Sequence, residues 1–209
     1  MKNLLILINF FIIYFVGYGQ VLRDVDKVTP FHEDIAAVRK NGQWGFINKD
    51  GEKLIDFRDD LVSTTDEHFL DENGITSITY PLFKDGRCLI KKLVDGVNYY
   101  GYIDKNGKEI IKTQYLNATN FHNGYAVVIK FAKNIIGSND VLGKQVVSYK
   151  LEEYIIDTTG KLIKYLDNAR NYLPSQIINK KQPIFYSKFM APHLIAVKKK
   201  DQKWTIYEF

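Results

Sequence analysis

Asn41-Gly42-Gln43-Trp44-Gly45-Phe46-Ile47-Asn48-Lys49-Asp50-Gly51 is the stretch whose reading decides the fold. It returns as Asn98-Tyr99-Tyr100-Gly101-Tyr102-Ile103-Asp104-Lys105-Asn106-Gly107. A third copy, Tyr154-Ile155-Ile156-Asp157-Thr158-Thr159-Gly160, has Tyr154 where the others have their first glycine. A fourth, Lys203-Trp204-Thr205-Ile206-Tyr207, closes the sequence. Self-similarity at this spacing points to stacked repeat units, each too small to bury its apolar face alone.

Each copy follows an apolar run: Ile35-Ala36-Ala37-Val38, Arg87-Cys88-Leu89-Ile90, Tyr125-Ala126-Val127-Val128-Ile129 and Leu194-Ile195-Ala196-Val197. Phe31, Phe83 and Phe121 open the first three. β-Branched and aromatic residues of this kind favour a pleated backbone. Asn41-Gly42 and Asp95-Gly96 predict two-residue hairpin turns, because Asn, Asp and Gly accept positive φ. Asp50-Gly51 and Asn106-Gly107 predict a second turn, leading to Leu54-Ile55 and Ile110-Ile111. The expected fold is therefore all-β, built of antiparallel three-stranded meanders. A curved stack, a barrel-like closure and a partial propeller are all compatible with that pattern. The repeats are expected at about 31–57, 83–113, 121–166 and 189–209.

The pattern resembles the WG (KWG) repeat family, short bacterial repeats named for a Trp-Gly pair before an aromatic-Ile-Asn/Asp-x-x-Gly run. Trp44, Gly45, Phe46 and Gly51 match closely. Tyr100, Gly101, Tyr102 and Gly107 match with Tyr in place of Trp. Gly160 and Trp204 carry what remains of the motif in the later copies. The resemblance implies a β-rich module in exported or surface-associated bacterial proteins. It brings no catalytic residues.

The 209 residues divide into a leader, 1–19, and a repeat domain, 20–209. Lys2 precedes an apolar run from Leu4 to Val16, and Gly17-Tyr18-Gly19 has the small-x-small form of a cleavage site. The run is too short for a transmembrane helix, which needs about 20 apolar residues. The mature protein is expected to begin at Gln20 in the periplasm, on the cell surface or outside the cell. Without the leader there are 28 basic and 24 acidic residues, a net charge of +4. That excess is spread along the chain and is densest at Lys180-Lys181 and Lys198-Lys199-Lys200. It reads as solvated strand ends that discourage edge pairing. Nothing resembles a nucleic-acid recognition motif.

Catalytic and cofactor motifs are missing from the sequence: no nucleophile elbow, phosphate loop, zinc-protease helix or calcium loop. Cys88 stands alone at the repeat position of Ala36 and Ala126, which reads as a small inward-facing residue. His32 and His122 follow the opening Phe of their repeats; they are expected to be polar strand-end residues, since a zinc site needs three or four ligands. The acidic pairs Asp59-Asp60, Asp71-Glu72 and Glu152-Glu153 read as solvated. Neither a metal nor a cofactor is expected.

Two segments depart from the repeat. Arg58 to Pro81 is longer than an ordinary connection and contains a strand-like run, Gly74 to Tyr80. Phe131 to Tyr149 predicts a hairpin projecting from repeat three, with Ile135, Ile136, Val141 and Leu142 as candidate contacts to a partner; the equal alternative is that the hairpin folds back over the sheet to cover an edge. Asp167 to Tyr172 predicts one helical turn. The expected role is non-enzymatic binding of another protein or an envelope polymer. The alternative is a carbohydrate-binding module or a glycan-directed enzyme. Trp44 separates them: a structural Trp44 is buried, a sugar-binding one is exposed beside acids in a groove.

Overall fold

The computed structural model describes residues 22–70, 77–139, 143–172 and 182–209. The leader, the acidic pair Asp71-Glu72, Lys180-Lys181, Val141 and Leu142 lie outside these residues. Every helix or strand among the described residues is a strand. The first sheet has the order β1 (Lys27–His32), β2 (Ile35–Lys40), β3 (Gln43–Asn48), β4 (Lys53–Arg58). A hairpin of β5 (Thr64–Leu70) and β6 (Ser77–Tyr80) follows. The second sheet holds β7 (Phe83–Lys84), β8 (Arg87–Val94), β9 (Val97–Ile103) and β10 (Glu109–Tyr115), again in chain order. The third holds β11 (Asn117–Ala118), β12 (Tyr125–Asn139), β13 (Lys144–Asp157) and β14 (Leu162–Tyr165), with β15 (Arg170–Asn171) also paired to β13. The fourth is β16 (Ser187–Ala191), β17 (Leu194–Lys198) and β18 (Trp204–Glu208).

The three-stranded meander expected from sequence is the heart of each unit, and an extra edge strand is added in front of it. Phe31 and Phe83 belong to that strand, opposite Ala36 and Cys88, and Phe189 opens the fourth unit in the same way opposite Ile195, whereas Phe121 follows β11 without being part of it. The reason is a tight turn that the sequence reading passed over. Glu33 and Asp34 have φ of 50° and 68°, and Asp85-Gly86 and Asn123-Gly124 repeat that left-handed pair. Such turns match the twist of the strands they join. The helical turn expected over 167–172 is absent. Arg170 and Asn171 instead pair with Leu151 and Lys150, so sheet hydrogen bonds take the backbone groups that a helical turn would use.

Apolar side chains alternate between the two faces of each sheet, and both faces of the middle sheets are covered. Ile35, Ala37, Phe46 and Ile55 of the first sheet form one cluster with Phe83, Cys88, Ile90 and Ile103 of the second. Leu89, Tyr100, Tyr102 and Ile111, on the opposite face of the second, pack with Phe121, Ala126, Val128 and Ile156 of the third. Val127 and Ile155, on the far face of the third, meet Ile195 and Val197 of the fourth. The sheets therefore stack face to face in chain order. This explains the unbroken apolar runs: a strand buried on both sides needs no polar alternation. The stacking is blade-like, and no sheet closes into a barrel.

One turn recurs with the same hydrogen bonds. Asn48 Oδ1 accepts from the amides of Asp50 and Glu52, Asp104 Oδ1 from Asn106 and Lys108, and Asp157 Oδ1 from Thr159 and Lys161. The glycine amide three residues on donates back to the carbonyl of Asn48, Asp104 or Asp157. This is why the motif reads Asn/Asp-x-x-Gly. Burial works against ionisation of Asp157, but the Thr159 hydroxyl and the amides of Thr159 and Lys161 outweigh it and hold the carboxyl below its ordinary range. Gly107 packs on the Ile55 side chain and Gly160 on Ile111, so each turn seats on the last strand of the preceding repeat.

The turns that precede β2, β8 and β12 are also tied together. Glu33 Oε2 accepts from the amide of Gly86 at 2.9 Å, and Asp85 Oδ2 accepts from the amide of Gly124 at 2.7 Å. Lys105 Nζ adds a bond to the Glu33 carbonyl at 2.8 Å. A carboxylate in one repeat thus holds an amide in the next, and both steps lie on the same rim of the stack.

Candidate functional site

β12 and β13 run to 15 and 14 residues, against six for β2 and β3. They stay paired from Tyr125–Asp157 out to Asn139–Lys144. Beyond Lys150, where β15 ends its pairing, the ribbon has no further neighbouring strand among the described residues. The Phe131 and Tyr149 rings stack at 5.2 Å and 15° where the ribbon leaves the body. Tyr172 meets Phe131 edge-on at 6.3 Å. This aromatic clamp fixes the direction of departure; such ring pairs contribute about 0.5–1.5 kcal/mol beyond their area.

Farther out, Ile135 pairs with Val147, and the register then shifts so that Gly137 faces Val146. Ile136 is the extra residue, and a bulge of this kind re-aims side chains. Ile135 is 62% exposed and Ile136 66%. Val146 is exposed beside them. Among the described residues, the outer part of the ribbon pairs with no sheet edge. Lys133 and Lys144 are exposed on it, and Lys130 and Lys150 are partly buried near its base. The described part of the ribbon is therefore apolar and basic, and the one acid of the sequence between Lys130 and Lys150, Asp140, lies outside the described residues.

The repeat-motif residues do different work. Phe46, Tyr100 and Tyr102 are buried in the clusters between sheets. Trp44 is partly buried against the first cluster, with the Arg39 guanidinium 6.0 Å from its ring. A cation and a core contact, rather than acids in a groove, surround it. Trp204 is 49% exposed on the outer face of the fourth sheet, with Lys188 Nζ 5.2 Å from its ring. Gly45 and Gly101 lie in extended backbone, and what each supplies is close approach. A Cβ on Gly101 would strike the Ile111 carbonyl oxygen and lie 2.7 Å from the Thr113 nitrogen.

The other candidates separate. His32 Nε2 is 2.9 Å from the Tyr80 hydroxyl, whereas the His122 ring lies beside Phe189, so the two histidines occupy different junctions. No group of three or more metal-ligating residues converges among the described residues. Cys88 is fully buried, and burial pushes its thiol well above the ordinary range, which removes its nucleophilicity. Asp60 pairs with Arg58. Glu153, read from sequence as solvated, is 4% exposed. It lies on the face of β13 that meets the fourth sheet, where its carboxylate accepts from the Tyr186 amide and the Ser187 hydroxyl.

One polar feature had no sequence signal. A cleft of about 540 Å³ is lined by Asp167, Asn168, Lys199, Lys200, Asp201 and Tyr207. Asn168 is 5% exposed, and its side-chain oxygen and nitrogen are buried without hydrogen-bond partners. Its neighbours in sequence follow no pattern that would single it out.

The repeat family described as WG containing repeat matches residues 25–44, 44–58 and 100–130. These segments cover the first sheet almost entirely and the junction between the second and third. The chain carries WG-containing repeats in these segments. Its WG motifs supply the buried rings and the close-approach glycines of the first two sheets, and the third and fourth sheets keep the architecture with fewer of the motif residues. No curated protein and no solved structure matches the chain. No helix among the described residues is long and apolar enough to cross a membrane.

Proposed function

We propose that this protein is exported and acts as a non-enzymatic binding module, presenting the β12–β13 ribbon to another protein or to an envelope polymer. The observation that carries the reading is the exposure of Ile135, Ile136 and Val146 on a ribbon that runs beyond the strands of the stacked body. Exposed apolar side chains gathered on one projection mark interaction sites. The lysines along the ribbon add an attraction for acidic partners and discourage pairing of its open edges. Replacing Asn134 to Lys144 with an Asn-Gly turn tests it. Capture of partners from the native envelope should be lost while the melting temperature stays unchanged. Retained capture, or a large fall in melting temperature, overturns the assignment.

Export rests on the basic start, apolar run and Gly17-Tyr18-Gly19 site of residues 1–19. N-terminal sequencing of exported material should read from Gln20; finding Met1 retained would refute cleavage.

A second reading, recognition of a saccharide, is favoured by the cleft at Asn168. An unpaired buried amide costs about 1–3 kcal/mol per group. Its oxygen and nitrogen are closed off from solvent, so the hydroxyls of a saccharide would meet the Asp167, Asp201, Lys199 and Lys200 side chains that line the cleft, with the amide behind them. Two lysines and two aspartates line the same cleft, so net charge selects neither an anion nor a cation.

A further inference from the structure

Each junction between sheets is built from the same two parts. The front of one sheet presents the residue that follows the first glycine position of the motif: Phe46, Tyr102 or Ile155. The back of the next presents the opening phenylalanine: Phe83, Phe121 or Phe189. Phe46 meets Phe83 edge-to-face at 4.9 Å, and Tyr102 meets Phe121 the same way at 4.8 Å. Phe83 and Phe121 are 1% and 2% exposed as a result. Ile155 and Phe189 share the third cluster.

At the two ends of the stack the outer residues of each part are open, although the centre of each face is buried, at Ala36 and Val38 on the back of the first sheet and at Ala196 on the front of the fourth. Phe31 is the opening phenylalanine of the first sheet, pointing to the same side as its cross-strand partner Ala36, and it is 46% exposed. Val28 beside it, opposite Val38 on that same face, is exposed as well. Ala196 and Ile206 are paired on the front of the fourth sheet, as Ala37 and Phe46 are on the front of the first. Ile206 is 57% exposed there, with Trp204 and Leu194 on the same face also exposed. The front of the last sheet and the back of the first are thus the two halves of a junction the molecule makes three times internally.

We propose that a second copy of this chain occupies these faces, its Phe31 side seated against the Ile206 side of the first in continuation of the repeat stack. The contact is head to tail, using two different patches, so each molecule keeps one free half after pairing and a row or closed ring can follow. The apolar driving force is the same as within the molecule.

The test uses two variants of the protein as the cell processes it, Phe31→Asp and Ile206→Asp. Both positions are exposed, so each variant should keep the wild-type melting temperature. Light scattering of the wild type at rising concentration should give a mass of at least twice the monomer. Each variant alone should remain monomeric, because one half of every contact carries a buried charge. Mixed in equal amounts, they should form a dimer and nothing larger, since only the intact Ile206 face of one and the intact Phe31 face of the other can meet. A wild type that stays monomeric throughout overturns the proposal. So does a variant that associates by itself, or a mixture that fails to pair.

Discussion

Replacing Gly101 with valine is expected to lower the melting temperature of this protein by roughly 6–12 °C, the shift that a loss of about 3 kcal/mol gives at this size. The cause is backbone against backbone. β10 bulges as it passes β9, with Ile111 opposite Tyr102 but Tyr115 opposite Tyr100. The slack between those pairs is laid over Gly101, and a Cβ there would meet the Ile111 carbonyl and the Thr113 nitrogen. A flexible side chain could swing aside; this stretch of main chain belongs to a strand that carries Ile111 and Tyr115 into the core. Gly45 is in the same position beneath β4, with less crowding: the nearest atom, the Ile55 carbonyl oxygen, would be 2.9 Å from a Cβ. Gly45→Val should therefore destabilise less than Gly101→Val. Tyr154 occupies the equivalent site in the third sheet, with its ring 5.3 Å from Tyr165 and its phenol outside the tightest core. Tyr154→Phe is the matched control: it loses only the hydrogen bond that the phenol donates to Glu152, about 1 kcal/mol, and should melt within a few degrees of wild type. Thermal unfolding followed by circular dichroism decides the matter, and equal melting of wild type and Gly101→Val would show that the glycine is incidental.

Glu153→Leu should cost about 2–4 kcal/mol, because it strips the acceptors from two buried donors at once. The Tyr186 amide and the Ser187 hydroxyl both point at that carboxylate, and Ser187 is itself buried. Leucine fills similar space but leaves both donors unpaired. Glu153→Gln retains one oxygen acceptor and should lose roughly half as much. Urea denaturation measures the loss. Amide exchange at Tyr186 then locates it, since that proton should exchange faster in the leucine variant. Unchanged stability in Glu153→Leu would mean that the bond contributes nothing to holding the fourth sheet.

These two sites mark how much the sequence could reveal. Turns are local, so Asn41-Gly42, Asp95-Gly96 and the Asn/Asp-x-x-Gly motif were legible from residue type alone; the four turn residues have φ of 51°, 80°, 50° and 78°. The long ribbon was legible too, because Phe131 to Tyr149 exceeds any turn. The opening edge strands were less so: a two-residue turn at Glu33-Asp34 places left-handed backbone on residues that rarely adopt it. Glu153 was misread because adjacency in sequence says nothing about facing. In a strand, Glu152 and Glu153 point to opposite sides, and only the second meets another sheet. β15 was misread as a helical turn because its partner strand lies about twenty residues back. Asn168 could not be found at all, since its environment is assembled from segments distant in the chain.

The carboxylate-to-amide ladder from Glu33 to Gly86 and from Asp85 to Gly124 has a consequence for how such a chain can change. It bolts one rim of the stack at a fixed pitch. The opposite rim carries the turns at Asn41-Gly42 and Asp95-Gly96, and it is there that the third unit has grown its ribbon. Novelty can accumulate on that side without altering the pitch on the other. The molecule is in effect a spine with a display edge, and Asp95-Gly96 is the natural splice point for grafting a foreign recognition loop.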